Sequence, residues 1–223
     1  IIKSIIVKIN KDKKNINMDL FADINWVLEK EILEKIKIIK SFIFKNKIKN
    51  NKNFILFLIK YFNAIESLNY LETRGRDSAS LSLNFKSKYK INIKNNQNNS
   101  SNFSIFQKKI SNNEFFLNIT IKHANQIGYS GENLEKIKNL INEIKVLKKI
   151  NFEKILGFYI IGHTRWASVG KVDLSNCHPL IDGQKNDSSL FYMNGDITNL
   201  NSITKKLKKK KFFYLRDKNC KND

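Results

Sequence analysis

The side chains able to do chemistry are concentrated in a few stretches of this chain. They are Leu71-Glu72-Thr73-Arg74-Gly75-Arg76-Asp77-Ser78-Ala79, then His163-Thr164-Arg165-Trp166-Ala167-Ser168-Val169-Gly170, then Asn176-Cys177-His178-Pro179, and finally Asn194-Gly195-Asp196. An arginine guanidinium is planar and can hold a carboxylate through two parallel hydrogen bonds. An Asn-Gly pair taken alone is a favoured hairpin turn. Cys177 adjoins His178, but neighbours in sequence seldom turn their side chains toward each other, so Cys177 reads as a buried, unreactive thiol. Cys220 lies in a polar tail with no evident base. The three histidines, His123, His163 and His178, suggest no nucleophile-base pair, and no two-Cys or two-His cluster has ligand spacing. Neither a metal nor a cofactor is therefore expected.

Taken together and in this order, the motifs resemble loops of the class II glutamine amidotransferases, in particular the glucosamine-6-phosphate synthase branch. Leu71 to Ala79 is similar to that branch's L-E-Y-R-G-Y-D-S-A motif. The resemblance implies an α+β fold, the N-terminal nucleophile hydrolase sandwich of four layers, αββα, with helical insertions. It implies hydrolysis of glutamine to glutamate, with ammonia delivered to a downstream sugar-phosphate isomerase domain or subunit that makes glucosamine 6-phosphate. A homodimer through that missing domain stays open. By the same resemblance Arg165 grips the glutamine carboxylate and Trp166 begins the loop that closes over it. Ser168 keeps a hydroxyl where the family has Thr, and Val169 replaces the usual His while offering its backbone N–H. The Asn194 amide and the Gly195 N–H form the oxyanion hole, a kind of donor worth about 3 kcal/mol each in the transition state. Met193 stands where the family has His. Arg74 and Gly75 organise the pocket, and Asp77 and Ser78 support their loop.

Two further roles follow from the resemblance. A carboxylate must meet the α-ammonium of glutamine: a gapless match places Asn219 there, a match with a short insertion places Asp223, and Asp223 is favoured. The nucleophile of the family is a cysteine that opens a Cys-Gly-Ile start, its own amine serving as base. This chain opens Ile1-Ile2-Lys3, so the expectation is that Ile1 is the Ile of that motif and the cysteine is encoded just ahead of it. The family domain also continues beyond Asp223, so truncation at both ends is expected. Purine-pathway relatives usually carry Tyr in place of Trp166, and asparagine synthetases use an Arg-Gly-Pro motif, which points to fructose 6-phosphate as the acceptor.

The elements that must position these residues follow from pattern. Ile1 to Ile9 is short and rich in Ile and Val, a buried strand. Val27, Leu28, Ile32, Leu33, Ile36 and Ile39 have helical spacing, and residues 18 to about 53 read as a helical insertion closed by a Lys- and Asn-rich connection. Phe54, Leu58, Tyr61, Ile65 and Leu68 mark one face of a second helix, a packing stripe rather than a ligand surface. Leu81, Leu83 and Phe85 alternate with Ser82, Asn84 and Lys86 as in a half-buried strand. Asn95 to Asn102 is low in complexity and reads, from about 93 to 103, as a loop. A strand at Phe115 to Ile121, a helix at Asn133 to Ile150 and a strand at Leu156 to Ile161, which delivers His163, complete the pattern.

Composition bounds the rest. The chain has 223 residues, enough for one substantial core. Its 41 Lys and Arg against 20 Asp and Glu give a formal charge of +21. The surplus is nearly all Lys and travels with Asn, Ile and a single proline, the bias an AT-rich genome imposes. A polyanion partner is the less favoured source of the charge, with Lys205 to Phe213 as its one candidate patch. Two cysteines do not make a disulfide scaffold and fit a reducing compartment. The longest apolar run, Phe54 to Phe62, is interrupted by Lys60 and falls short of the roughly 18 to 20 residues of a membrane span, and no signal-peptide pattern is present. A cytoplasmic enzyme is the expectation. Its rivals are a non-catalytic, glutamine-binding scaffold module of the same family and a basic nucleic-acid-binding protein.

Overall fold

The computed structural model describes residues 18–45, 51–92, 102–125, 129–143, 149–168, 170–182, 188–195 and 197–209. The expected first strand at Ile1 to Ile9, Val169, most of the low-complexity loop, Asn219 and Asp223 lie outside these residues. The chain divides into two compact units, Ile1–Phe62 and Asn63–Asp223.

In the first unit, helix α1 (Met18–Trp26) runs through a widened π-helical stretch (Val27–Leu33) into helix α2 (Glu34–Lys45). Helix α3 (Lys52–Glu72) begins here and crosses the boundary between the units. Its first turn is capped by Asn51, whose Oδ1 accepts from the Phe54 N–H at 2.7 Å. Phe21 and Ile39 are buried, whereas Trp26 and Phe44 are exposed. The five-residue stripe from Phe54 to Leu68 is buried throughout, as packing requires.

The second unit is built on a four-stranded antiparallel sheet in the order β2-β3-β1-β4, with β1 at Ser78–Ser87, β2 at Phe103–Ser111, β3 at Glu114–Ala124 and β4 at Ile155–Arg165. A two-stranded ribbon, β5 (Leu180–Asp182) with β6 (Ser189–Phe191), follows. Helix α4 (Glu132–Glu143) packs on β3 and β1. Helix α5 (Leu200–Lys209) takes in the start of the basic segment. The architecture is α+β.

Ala79, Leu81, Leu83 and Phe85 of β1 join Leu117, Ile119 and Ile121 of β3 in the apolar face. Leu68 of α3 lies so close to β4 that a Cβ on Gly162 would sit 2.8 Å from its Cδ2. The half-buried reading of β1 is corrected: Ser78, Ser80, Ser82 and Asn84 are buried as well, because β1 is paired on both edges and covered on both faces. Strand β2, absent from the sequence-based pattern, is an edge strand joined to β3 through Asn112-Asn113. Its exposed Lys109 discourages further pairing.

Candidate functional site

Strand β4 delivers Arg165 at its end, and the turn after α3 is fitted directly against it. A Cβ added to Gly75 would lie 3.0 Å from the Arg165 nitrogen and 3.1 Å from its carbonyl carbon, so only glycine fits without a shift. The Asp77 N–H donates to the Arg165 carbonyl at 3.1 Å. The Asp77 carboxylate accepts from the Ala167 N–H at 2.6 Å, and the Thr164 hydroxyl donates to the Leu71 carbonyl at 3.4 Å. Two motifs that lie some ninety residues apart thus form one joint.

That joint is held from behind by Glu72. Its carboxylate is fully buried and accepts from the N–H groups of Asn133 at 2.9 Å and Leu134 at 3.4 Å. A buried carboxylate is tolerated there because it satisfies the open amides of the α4 N-terminus and meets the positive end of the helix dipole. The Asn133 side chain completes the brace, donating to the Arg76 carbonyl at 2.6 Å and meeting His123 Nδ1 at 2.7 Å.

Arg165 itself is buried, at 6% exposure. Its Nη1 donates to the Lys171 carbonyl at 3.4 Å, an oxygen that also accepts from Asn176 Nδ2 at 3.1 Å. The same loop is tightened by Asp173, whose Oδ1 accepts from the Ser175 hydroxyl at 2.7 Å and the Asn176 N–H at 2.9 Å. Burial alone would raise the Asp173 carboxyl, but these hydrogen bonds and Lys171 hold it below its ordinary value. Trp166, next to Arg165, presents its side chain to solvent at 61% exposure. Ser168 is exposed too, its N–H donating to the Trp166 carbonyl at 3.0 Å.

The polar face of the sheet carries the second joint. Tyr192 donates its hydroxyl to Ser82 Oγ at 2.6 Å, Ser82 meets Thr120 Oγ1 at 2.7 Å, and Thr120 donates to Asn118 Oδ1 at 2.9 Å. Because Tyr192 donates to Ser82 and Thr120 donates onward, Ser82 must donate to Thr120, and the chain of hydrogen bonds has one direction. Asn118 then donates to Asn84 Oδ1 at 2.9 Å. Burial pushes the Tyr192 phenol up to about 12 despite the opposing bond to Ser82, so it is a donor at neutral pH. Nearer to Arg165, the His163 and His178 rings stack with centroids 4.7 Å apart, and His178 Nδ1 accepts from the Met193 N–H at 3.0 Å.

Asn194 and Gly195 follow at once from these two anchors. Both are exposed, and Gly195 has φ +147°, a conformation that disfavours side chains. Arg74 is exposed on the turn that Gly75 closes. The structure therefore links the Arg74–Gly75, Arg165–Trp166 and Asn194–Gly195 stretches through Gly75, Asp77, His163, His178 and Met193. Cys177 is fully buried, its Sγ lies 3.5 Å from the Ala79 carbonyl and 3.6 Å from that of His178, and burial raises its thiol above the usual range. Among the described residues no group of three or more His, Cys, Asp or Glu could hold a metal ion, and no helix is long and apolar enough to cross a membrane.

The anchoring residues Ser82, Asn84, Asn118, Thr120 and Tyr192 were not singled out from sequence as part of the site. A signal was present. In so Lys-rich a chain, solvent faces carry Lys, whereas Ser82, Asn84, Asn118 and Thr120 put small neutral polar side chains on the strands.

No protein-family model matches the chain, and no solved structure matches it either. Among curated proteins it is similar to the glutamine–fructose-6-phosphate aminotransferase (isomerizing) of Buchnera aphidicola subsp. Acyrthosiphon pisum, 32% identical over 123 residues, which are 51% of this chain and 19% of that protein. It is similar to the enzyme of that name from Encephalitozoon cuniculi, 37% identical over 84 residues, 38% of this chain and 11% of that protein. It is also similar to the one from Methanococcus maripaludis, 47% identical over 45 residues, 20% of this chain and 8% of that protein. The matched stretches span less than a fifth of the length of these relatives. Their shared name is that of a glutamine-dependent aminotransferase, and it is to proteins of this kind that the chain is similar.

Proposed function

We propose that the chain is the glutamine-hydrolysing part of a glutamine-dependent aminotransferase whose acceptor is fructose 6-phosphate, and that it adopts the four-layer αββα sandwich of the N-terminal nucleophile hydrolases. The supporting observation is the joint at Arg165: a buried arginine at a strand end, its backbone so close to Gly75 that a Cβ added there would lie 3.0 Å from the Arg165 nitrogen, followed by an exposed indole. Arg165 holds the glutamine carboxylate, and Asp223 meets its ammonium group. Trp166, Ser168 and the Val169 backbone close over the bound substrate. Attack of a thiolate on the side-chain amide carbonyl creates a tetrahedral oxyanion, which the Asn194 amide and the Gly195 N–H stabilise. Ammonia leaves as the thioester forms, and water then releases glutamate. Ammonia passes to a sugar-phosphate isomerase domain, as the name of the relatives suggests.

This reading requires a cysteine encoded upstream as the first residue of a Cys-Gly-Ile start that ends in Ile1. The test is to express the complete open reading frame and assay glutamate release from glutamine. Activity that is abolished by replacing that cysteine, and lowered by about 10²-fold in kcat/KM by Arg165→Lys, is the expected result. Glutamine binding without hydrolysis would instead favour the non-catalytic module. A frame with no such cysteine would overturn the hydrolytic reading.

A further inference from the structure

We propose that His178 is a positioning residue for the Asn194–Gly195 turn, acting through the Met193 peptide. The proposal rests on the glutaminase reading for its catalytic consequence, but its geometric content stands apart from it. His178 is almost fully buried, and its Nδ1 accepts the Met193 N–H at 3.0 Å. A ring nitrogen that accepts carries no proton, so the neutral ring holds its proton on Nε2. The ring cannot swing away, because it stacks on His163 at 4.7 Å with an 18° tilt between planes. His163 is in turn fixed on β4, paired opposite Ser80 and two residues before Arg165.

The consequence lies in the order of the chain. Tyr192 is tied to the central strand through Ser82, Met193 is tied to His178, and the next two residues are the exposed Asn194 and Gly195. A donor that stabilises an oxyanion must be held in place before charge develops. Among the described residues nothing lies within 4 Å of a Cβ built on Gly195, whereas the Met193 peptide just before the turn is anchored by His178. His178 thereby couples the strand that carries Arg165 to the turn that carries the oxyanion donors. The residue touches no substrate.

Three measurements on the full-length protein test this. In ¹⁵N spectra of the wild type, His178 is expected as the Nε2–H tautomer with a through-hydrogen-bond coupling to the Met193 amide; an Nδ1–H tautomer overturns the proposal. The variants His178→Asn and His178→Gln separate the ring's role from its bulk, since Asn keeps an acceptor near the Nδ1 position and Gln moves it to the Nε2 position. His178→Gln should speed exchange of the Met193 amide about tenfold, the worth of one net hydrogen bond. It should also lower kcat for glutamine by up to about 10²-fold with KM little changed, and His178→Asn should recover most of that loss. Equal kcat and equal Met193 exchange in wild type and His178→Gln would refute the positioning role. If the wild type hydrolyses no glutamine, the functional reading fails while the tautomer and exchange results still judge the anchor.

Discussion

Gly75 and Gly195 each follow an exposed polar residue, and the structure treats them differently. At Gly75 the space a Cβ would take is filled by the backbone of Arg165 and the hydroxyl of Thr164, both at 3.0 Å. At Gly195 no atom of the described residues lies within 4 Å of that position, and the constraint is the residue's own backbone at φ +147°. One glycine is demanded by a tertiary neighbour, the other by local conformation. Substitution at the first should disturb the strand that carries Arg165, and at the second only the turn itself.

The largest expected effect falls on the open turn. On the proposed chemistry, Asn194→Ala lowers kcat by about 10²- to 10³-fold, while the urea midpoint of so exposed a residue moves by no more than about 0.5 kcal/mol equivalent. A loss of activity that merely tracks unfolding would break the comparison. Next comes the packed turn: Gly75→Ala should cost about 1 to 3 kcal/mol in equilibrium denaturation, as overpacking against backbone does. Adding Thr164→Ala should return only part of this, because the Arg165 backbone contacts remain. Gly195→Ala should cost about 1 to 2 kcal/mol through strain alone, with no partner substitution able to relieve it.

A smaller effect concerns pH. The Tyr192 phenol lies at about 12 in the folded chain against an ordinary 10. Its contribution to stability is thus complete below pH 10 and is lost as pH rises from there through about 12. In urea titrations across that window, Tyr192→Phe should flatten the decline. The smallest effect is an absence of one: Cys177, buried with a raised thiol, should escape labelling by a thiol reagent in the native protein at neutral pH and react only on unfolding, as mass mapping would report.

Much of the scaffold could be read from local pattern. The stripe Phe54, Leu58, Tyr61, Ile65 and Leu68 is buried in full, since a 3.6-residue period has one interpretation over so long a helix. Leu134, Ile137 and Ile141 are likewise buried on α4. Strand β1 misled because alternation reports chemical type rather than cover. Ser80, Ser82 and Asn84 have the polarity of a solvent face, yet each is fully buried. The hydrogen-bonding needs of Ser82 and Asn84 are met in part by Thr120, Asn118 and Tyr192, residues that only the fold brings near. Strand β2 was hidden because it emerges from an Asn-rich run and Phe103, Ile105, Phe106 and Ile110 do not alternate strictly. Its pairing to β3 supplies what its own pattern lacks.

By itself the sequence determined which residue types occur, in which order, and the amphipathic periods of the helices that frame them, because those depend on neighbours a few positions away. Only the tertiary structure decided that Gly75 lies against Arg165, that Glu72 caps the helix beginning at Glu132, and that His178 accepts from Met193. The physical reason is one of range: such contacts depend on strand pairing and close packing between residues distant along the chain, for which no local propensity is a substitute.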